Sequence, residues 1–294
     1  MKKILIIGLG IGSMYRRILN SDYSVFTVDV NPETNPDYQT IEDAISKHNN
    51  FDVVLICTPN YLHSVFLKEL CEMSKIVLVE KPGLKDLETW NRFFKLKKNL
   101  FMVKNNMFRK DIEYISNFIY DNLNIISGID INWINKDRIP NPGSWFTTKS
   151  KSWGGVSRDL MPHLLSIYYK IFEHASIPVN SIFNQCHTLD TITSTEYGKI
   201  DKKGVYDVDD LCQIKFYENH KNITLNCNWK SDIKSDIGIR IYFKNKKEEF
   251  YELGLCPEDA YLTMIKFFID KIDNSDFINE QYKIDKWIIK LINY

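Results

Sequence analysis

The first hundred residues alternate short apolar runs with segments long enough to form a helix. The runs lie at residues 3–7, 25–28, 51–57, 76–80 and 100–103. Apolar runs that do not alternate with polar residues are typical of strands buried on both faces, and intervening helices indicate a parallel sheet. We therefore predict an α/β fold whose N-terminal domain is a doubly wound parallel sheet.

A glycine-rich segment lies between the first strand and a predicted helix. It comprises Gly8, Gly10, Ile11 and Gly12 and ends at Ser13. A strand–turn–helix of this kind directs free backbone N–H groups and the positive end of a helix at a phosphate. Ser13 occupies the third position of the G-x-G-x-x-G pattern, so the match is imperfect. The alternative is a tight turn without a ligand.

Asp29 ends the second predicted strand, 21 positions after Gly8. An acid near this spacing accepts hydrogen bonds from the ribose of a dinucleotide. No lysine or arginine adjoins it to hold a 2′-phosphate, and its carboxylate would repel one. The sequence therefore favours NAD over NADP. The alternative is an aspartate that caps the turn before Pro32.

Polar residues also follow the third and fourth predicted strands. In open parallel sheets, ligands bind at the carboxyl ends of the strands. Asn60 is a candidate N-cap for a helix over residues 61–73. His63 is either a polar support for the site or an ordinary first-turn histidine. The candidate residues at this edge are Thr58, Pro59, Asn60, His63, Glu80 and Lys81.

These motifs, in this order, resemble the glucose–fructose oxidoreductase / inositol dehydrogenase / MocA family. The tripeptide Glu80-Lys81-Pro82 carries most of the resemblance. The family resemblance implies an NAD-binding Rossmann domain, predicted at residues 1–122. It also implies a second domain, predicted at residues 123–294, whose open sheet pairs subunits into a dimer or tetramer.

The second domain is predicted to be α+β with a mainly antiparallel sheet. A helix over residues 111–122 precedes it, and a long loop follows its first strand, at residues 135–155. Loops of this length are usually functional. The first strand of this domain is predicted at residues 125–134. Later strands are predicted at residues 179–189, 205–217, 223–229, 237–243 and 249–253, and helices at 258–272 and 281–293.

Asp159 and His163 follow the pair Gly154-Gly155 and are spaced i and i+4, so they share one face of a helix. We predict that this helix begins near Asp159, because Pro162 is tolerated in a first turn. The resembled family carries Gly-Gly, a few residues and then Asp-x-x-x-His. Ser166 departs from that family, since many members have another acid there, which leaves the substrate open.

The chemistry assigns roles to these residues. Oxidation of a secondary alcohol needs a base for the hydroxyl proton, and histidine suits that task near neutral pH. Asp159 would fix the tautomer of His163 and stabilise its imidazolium, and Lys81 would stabilise developing alkoxide charge. The predicted catalytic residues are therefore Lys81, Asp159 and His163.

Three further residues are predicted to line the substrate pocket. The resemblance places Asn106 and Arg109 there, although a solvated loop is the alternative for each. Trp153 would form a wall beside a sugar or nicotinamide ring, or it would anchor the loop by packing. Lys81, Asp159 and His163 complete the predicted substrate set.

Composition excludes several classes of function. Lys+Arg and Asp+Glu each number 38 among 294 residues, so nothing favours nucleic acid or an anionic membrane as partner. No apolar run reaches the ~18 residues of a membrane span. Six scattered cysteines without a C-x-x-C pair argue against zinc and for reduced thiols in a cytoplasmic protein. Asp207, Asp209 and Asp210 could form a metal site, but solvated charge is the favoured interpretation, and no metal is expected.

The sequence thus predicts an NAD-dependent oxidoreductase acting on a secondary hydroxyl or keto group of a sugar, cyclitol or nucleotide sugar. One alternative keeps the fold but uses NAD transiently to cleave a glycosidic bond. Another is an NAD-binding regulator without catalytic activity, although such a protein would not need Lys81, Asp159 and His163 together.

Overall fold

The computed structural model describes residues 1–293 and divides into two compact units. The first unit comprises Met1–Asn105 and Pro257–Lys290, and the second comprises Asn106–Cys256 and the chain from Leu291. This division differs from the predicted boundary between residues 122 and 123. The predicted linking helix belongs to the second unit, and the two C-terminal helices belong to the first.

The strands and helices alternate through residue 122, and most later strands follow one another directly. The strands are β1 Lys3–Ile7, β2 Ser24–Val28, β3 Phe51–Ile56, β4 Ser74–Val79, β5 Leu100–Met102, β6 Ile126–Ile134, β7 Asn180–Asn184, β8 Leu211–Glu218, β9 Lys221–Asn228, β10 Asp236–Phe243 and β11 Glu248–Glu252. The helices are α1 Gly12–Leu19, α2 Ile41–Lys47, α3 His63–Leu70, α4 Leu87–Leu96, α5 Lys110–Asn122, α6 Lys149–Ser152, α7 Val156–Asp159, α8 Met161–Phe172, α9 Glu258–Asp270 and α10 Ser275–Leu291.

The first unit contains a five-stranded sheet in the order β2-β1-β3-β4-β5, and every pairing is parallel. Its central strands β1 and β3 are buried except at Lys3 and Asp52, as the apolar runs predict. The predicted doubly wound Rossmann sheet is therefore confirmed. Because the chain order reverses between β1 and β3, the turns after these two strands border the crevice where such sheets bind ligands.

The C-terminal helices complete the first unit beside β5. Phe268 of α9 packs on Phe101, with ring centroids 4.8 Å apart. Asp285 of α10 accepts a hydrogen bond from the backbone N–H of Met102 and forms a buried ion pair with Lys104. These contacts explain why the last helices group with the N-terminal sheet. No helix among residues 1–293 is long and apolar enough to cross a membrane.

The second unit contains a six-stranded sheet in the order β11-β10-β6-β9-β8-β7. All neighbours are antiparallel except β6 and β9, which run parallel because helices and two strands intervene between them. Alternate residues such as Ile129, Ile131 and Leu225 are fully buried, and α8 packs on β6 and β9. The predicted mainly antiparallel sheet is confirmed.

The connections of the second unit differ from the prediction. The strands predicted at 179–189 and 205–217 are shorter, and residues 185–210 are irregular. The reason is that backbone N–H groups here bond to side chains, as those of Cys186 and His187 do to Asp210. The loop predicted at 135–155 contains a 3-10 turn, Trp145–Thr147, and the short helix α6.

Candidate functional site

The glycine-rich turn after β1 leaves its central amide groups open. Gly8 donates to the carbonyl of Val28 at 2.8 Å, which ties the turn to β2. The N–H groups of Gly10, Ile11 and Gly12 have no hydrogen-bond partner within residues 1–293. A β-carbon at Gly10 would meet no heavy atom within 4 Å. Free N–H groups at the start of α1, with open space before them, form a site for an anion.

Asp29 lies directly beside this turn. Its Oδ2 accepts a hydrogen bond from the N–H of Leu9 at 2.5 Å, and its Oδ1 accepts one from Asn31 at 2.8 Å. Asp29 therefore caps the turn before Pro32, which was the alternative interpretation, and its carboxylate also fixes the glycine turn. A carboxylate has about four lone-pair sites, so both oxygens retain capacity for ribose hydroxyls.

His63 connects the turns that follow β3 and β4. It is fully buried, with Nδ1 2.7 Å from the carbonyl oxygen of Gly83 and Nε2 2.9 Å from that of Thr58. Burial lowers the pKa of His63 to about 4, so the ring is neutral at pH 7 and has a single N–H for the two carbonyls. Its position supports the nucleotide-side turns from behind.

Of the other residues after β3, Asn60 is buried, whereas Thr58 and Pro59 are half-buried. The Oγ1 of Thr58 is buried and has no hydrogen-bond partner among residues 1–293, so it is available to a ligand. Asn60 is not the predicted N-cap, because it begins a 3-10 turn, Asn60–Leu62, and α3 begins only at His63.

Glu80 is buried and accepts a hydrogen bond from the hydroxyl of Tyr15 at 2.9 Å. Burial raises the pKa of Glu80 and that of Tyr15. Lys81 follows at the sheet edge, is half-buried, and precedes Pro82 through a cis peptide bond. Sequence reasoning missed Tyr15, since a tyrosine in the first turns of an amphipathic helix reads as core.

In the second unit, His163 lies in the first turn of α8. Its Nδ1 is 3.0 Å from Nδ2 of Asn106, and its ring stacks at 5.6 Å on that of Trp133. Asn106 is fully buried. The residue that contacts Nδ1 thus comes from the segment before α5, 57 positions away in the chain.

Arg109 holds the same segment in place. It is 3% exposed and donates to both carboxylate oxygens of Asp111 and, at 3.0 Å, to the carbonyl of Gly254. Its Nη1 also lies 3.5 Å from Oδ1 of Asn106. The solvated-loop interpretation of Asn106 and Arg109 is therefore wrong, whereas their contact with substrate stays a prediction.

Asp159 does not begin the helix that carries His163. It ends α7, and α8 begins two residues later. The chain breaks the helix here because Pro162 has no N–H to donate to the carbonyl of Arg158. The Oδ2 of Asp159 accepts a hydrogen bond from the indole N–H of Trp229 at 3.0 Å. Trp229 is buried in the core of the second unit, and no local pattern indicated it.

Trp153 ends α6 in the left-handed region, with φ of 69°, and donates its N–H to Lys149. Its side chain is half-buried, and its backbone bond to Lys149 anchors the loop. Its role as a wall beside a sugar or nicotinamide ring stays a prediction. Asp209 and Asp210 are 3% and 0% exposed, so the interpretation as solvated charge is wrong for both. No group of His, Cys, Asp and Glu within residues 1–293 is arranged to hold a metal ion.

Three solved structures illustrate the similarity of the whole fold. GenD2 from gentamicin A biosynthesis, in complex with NAD, is 12% identical over 98% of this chain and 92% of its own, with a TM-score of 0.73. Levoglucosan dehydrogenase, in complex with NADH and levoglucosan, is 17% identical over 99% and 97%, with a TM-score of 0.71. A putative myo-inositol dehydrogenase from Sinorhizobium meliloti 1021 is 17% identical over 100% and 95%, with a TM-score of 0.72.

At these identities the similarity shows the fold. No curated protein sequence matches the chain significantly. The family model described as an oxidoreductase family with an NAD-binding Rossmann fold matches residues 2–104, which contain the glycine turn, Asp29 and the Glu80-Lys81-Pro82 motif. Residues 2–104 therefore belong to the glucose–fructose oxidoreductase / inositol dehydrogenase / MocA family and carry its NAD-binding Rossmann fold.

Proposed function

We propose that the protein is an NAD-dependent dehydrogenase or reductase of carbohydrates. The observation that carries the proposal is the glycine turn, where three consecutive amide groups are open beside a carboxylate. The residues fit the dinucleotide. Gly10, Ile11 and Gly12 would hold the pyrophosphate, and Asp29 the ribose. The buried Oγ1 of Thr58 gives the cofactor a further polar partner.

NAD is proposed over NADP because Asp29 would repel a 2′-phosphate. Arg16, a basic residue close to this turn in the chain, contacts the segment after β2. Its guanidinium donates to the carbonyl of Asn35 at 2.7 Å. Thermal unfolding with NAD, NADH, NADP and NADPH in turn tests the assignment. Stabilisation by NADP alone would contradict the preference for NAD and would implicate Arg16 in holding the 2′-phosphate.

A nicotinamide cofactor held by these residues would supply hydride transfer at its C4. The chain must then move a proton at the substrate oxygen, and we assign that step to His163. As the base, His163 accepts the proton at Nε2 and keeps its own proton on Nδ1. Nδ1–H then donates to Oδ1 of Asn106, which requires a half-turn of the amide. Arg109 loses little, since its shorter contacts are to Asp111 and Gly254.

Asp159 and Lys81 complete the proposed chemistry. The carboxylate of Asp159, oriented by Trp229, would stabilise the imidazolium of His163 through its negative charge. Lys81, at the carboxyl end of β4, would donate to the substrate oxygen and stabilise developing alkoxide charge. The tautomer of His163 is set by Asn106 in this proposal rather than by Asp159.

The substrate class is proposed from the structural relatives, which include dehydrogenases of levoglucosan and of myo-inositol. The proposed substrate is a secondary alcohol of a sugar, cyclitol or nucleotide sugar, or the matching ketone. A panel of these compounds with NAD, followed by NADH absorbance, tests the class. Turnover of a glycoside without net NADH would favour the glycosidic-bond alternative.

His163→Asn tests the catalytic assignment. We expect kcat to fall by about 100-fold or more, because loss of a general base typically costs 10²–10⁴. NAD affinity should stay within twofold, since the proposed nucleotide residues lie in the other unit. Near-normal turnover by the variant would remove His163 from the mechanism. Absence of turnover by the unaltered protein with every substrate would favour an NAD-binding regulator.

Pairing of subunits through the open sheet stays a proposal. One face of that sheet is polar, and its side chains bond to one another across four strands. Gln213 donates to Asn226, Asn226 to Asn132, and Asn132 to Asp236. Light scattering of the purified protein would test the proposal, and a monomer at micromolar concentration would contradict it.

A further inference from the structure

The three aspartates at residues 207–210 each accept hydrogen bonds from the backbone of a different segment. Asp207 accepts from the N–H of Lys149, at the start of α6. Asp210 accepts from the N–H groups of Cys186 and His187. Asp209 accepts from the turn before α7. These acids therefore fix three separate segments of the second unit.

Asp209 binds the turn before α7 through both its carboxylate and its backbone carbonyl. Its Oδ1 accepts from the N–H of Gly155 at 2.8 Å and from the hydroxyl of Ser157 at 3.0 Å, and its Oδ2 accepts from the N–H of Ser157 at 2.8 Å. Its own carbonyl accepts from Val156 at 2.9 Å. Asp209 thus takes up three consecutive amide groups that the start of α7 would otherwise leave unbonded.

The glycine of this turn is required by the same contact. A β-carbon at Gly155 would lie 1.8 Å from the carbonyl oxygen of Asp209. No side chain fits at that distance. Gly155 is therefore explained by the close approach of Asp209, rather than by an open anion site.

The position of the proposed catalytic pair depends on this clamp. Helix α7 has four residues, which is too short to be stable without external contacts. Asp159 is its last residue, and α8, which carries His163, begins two residues later. Asp159 is also connected to Asp210 through Trp229. The backbone N–H of Trp229 donates to the carbonyl of Asp210, and its indole N–H donates to Asp159.

We propose that Asp209 is a positioning residue for the catalytic pair: it fixes the start of α7 and thereby sets Asp159 against His163. The inference rests on the proposed function of that pair. It assigns Asp209 neither a metal nor contact with substrate. Its carboxylate acts through the N–H groups of Gly155 and Ser157 and the hydroxyl of Ser157.

Asp209→Asn is the direct test. The asparagine has the same shape, but its NH₂ faces a backbone N–H, so one clamp bond is lost. We expect kcat to fall about tenfold to hundredfold, as for a misplacement near 1 Å. KM for substrate and affinity for NAD should stay within twofold. Asp207→Asn is the matched control, since Asp207 is exposed and its carboxylate accepts from the N–H of Lys149 in α6 rather than from the turn before α7. Its kcat should stay within twofold.

A second measurement needs no turnover. The ring ¹⁵N and ¹H signals of His163, assigned by their loss in His163→Asn, report its surroundings in the substrate-free protein. Asp209→Asn should shift them, and Asp207→Asn should not. This separates the two proposals: if no substrate is ever turned over, the proposed function fails while the shift still supports the clamp.

Two results would overturn the inference. One is a folded Asp209→Asn protein with kcat within twofold and unchanged His163 signals. The other is an equal loss in Asp207→Asn. If Asp209→Asn does not fold, Ser157→Ala decides, because it removes only the hydroxyl donor to Asp209. A shift of the His163 signals with unchanged KM supports the clamp, and unchanged signals overturn it.

Discussion

Two helices in this chain begin after glycine turns, and the backbone N–H groups of the two turns differ in their hydrogen bonding. In the turn before α1, the N–H groups of Gly10, Ile11 and Gly12 are open. In the turn before α7, Asp209 takes up the N–H groups of residues 155–157. The two turns have similar local sequence, with glycines followed by a helix.

The difference teaches that a glycine turn before a helix is not by itself an anion site. What decides is the group placed opposite the free amides. Beside the first turn, Asp29 accepts from the N–H of Leu9 but from none of the next three N–H groups of the turn. Opposite the second turn, a buried carboxylate already provides the negative charge that a phosphate would bring.

The largest expected effect would come from Gly155→Ala. The methyl group would overlap the carbonyl oxygen of Asp209, so the turn must separate from the clamp and lose its hydrogen bonds. We expect the free energy of unfolding to fall by about 3–5 kcal/mol. Urea unfolding followed by tryptophan fluorescence measures it. A loss below 1 kcal/mol would show that the second turn is as open as the first.

A third turn, at Lys81-Pro82-Gly83, is held through a backbone carbonyl instead of backbone N–H groups. The side chain that holds it is His63, which contacts the carbonyl oxygen of Gly83. Since burial lowers the pKa of His63 from 6.5 to about 4, the unfolded chain binds the proton first on acidification. Stability is therefore lost as the pH falls from 6.5 towards 4. Between pH 7 and pH 5 the loss from His63 is about 2 kcal/mol.

Thermal unfolding at pH 7 and pH 5 checks this dependence by comparing the protein with His63→Gln. The variant should be less stable at pH 7 but should show a smaller loss on acidification. His220→Gln is the control, since His220 is exposed, and it should keep the full dependence. Equal losses in the protein and in His63→Gln would mean that folding leaves the pKa of His63 unchanged.

The smallest effect on folding is expected for Gly10→Ala. No heavy atom lies within 4 Å of the added methyl group, so the free energy of unfolding should change by less than about 1 kcal/mol. The methyl group would instead occupy the space before the open amides, and NAD affinity should fall about tenfold. Calorimetric titration with NAD measures it. Unchanged affinity would mean that the first turn does not hold the pyrophosphate.

The sequence predicted what depends on local patterns. The parallel strands, the glycine turn and Asp29 follow from apolar runs and short spacings, and the structure has them in place. The break between Asp159 and His163 was missed. The missing N–H of Pro162 was treated as one that a first turn leaves unbonded, whereas in the structure α7 ends at Asp159 and α8 begins at Met161.

The residues that support the site lie far away in the chain and carry no local signal. Trp229 bonds to Asp159 across 70 positions, and Tyr15 bonds to Glu80 across 65. Asp209 was noticed as one of three acids, but nothing local indicates that it accepts from Gly155, 54 positions earlier. Pairing of this kind is decided by tertiary packing, which a single sequence does not display.

The buried ion pair between Lys104 and Asp285 has a consequence for how the chain is made. The two residues are 181 positions apart, so at 5–20 residues per second the ribosome supplies the aspartate roughly 10–40 s after the lysine. Throughout that interval the end of β5 has a lysine without its buried counter-charge. The N-terminal sheet, although synthesised first, therefore reaches its final state only when α10 has left the ribosome.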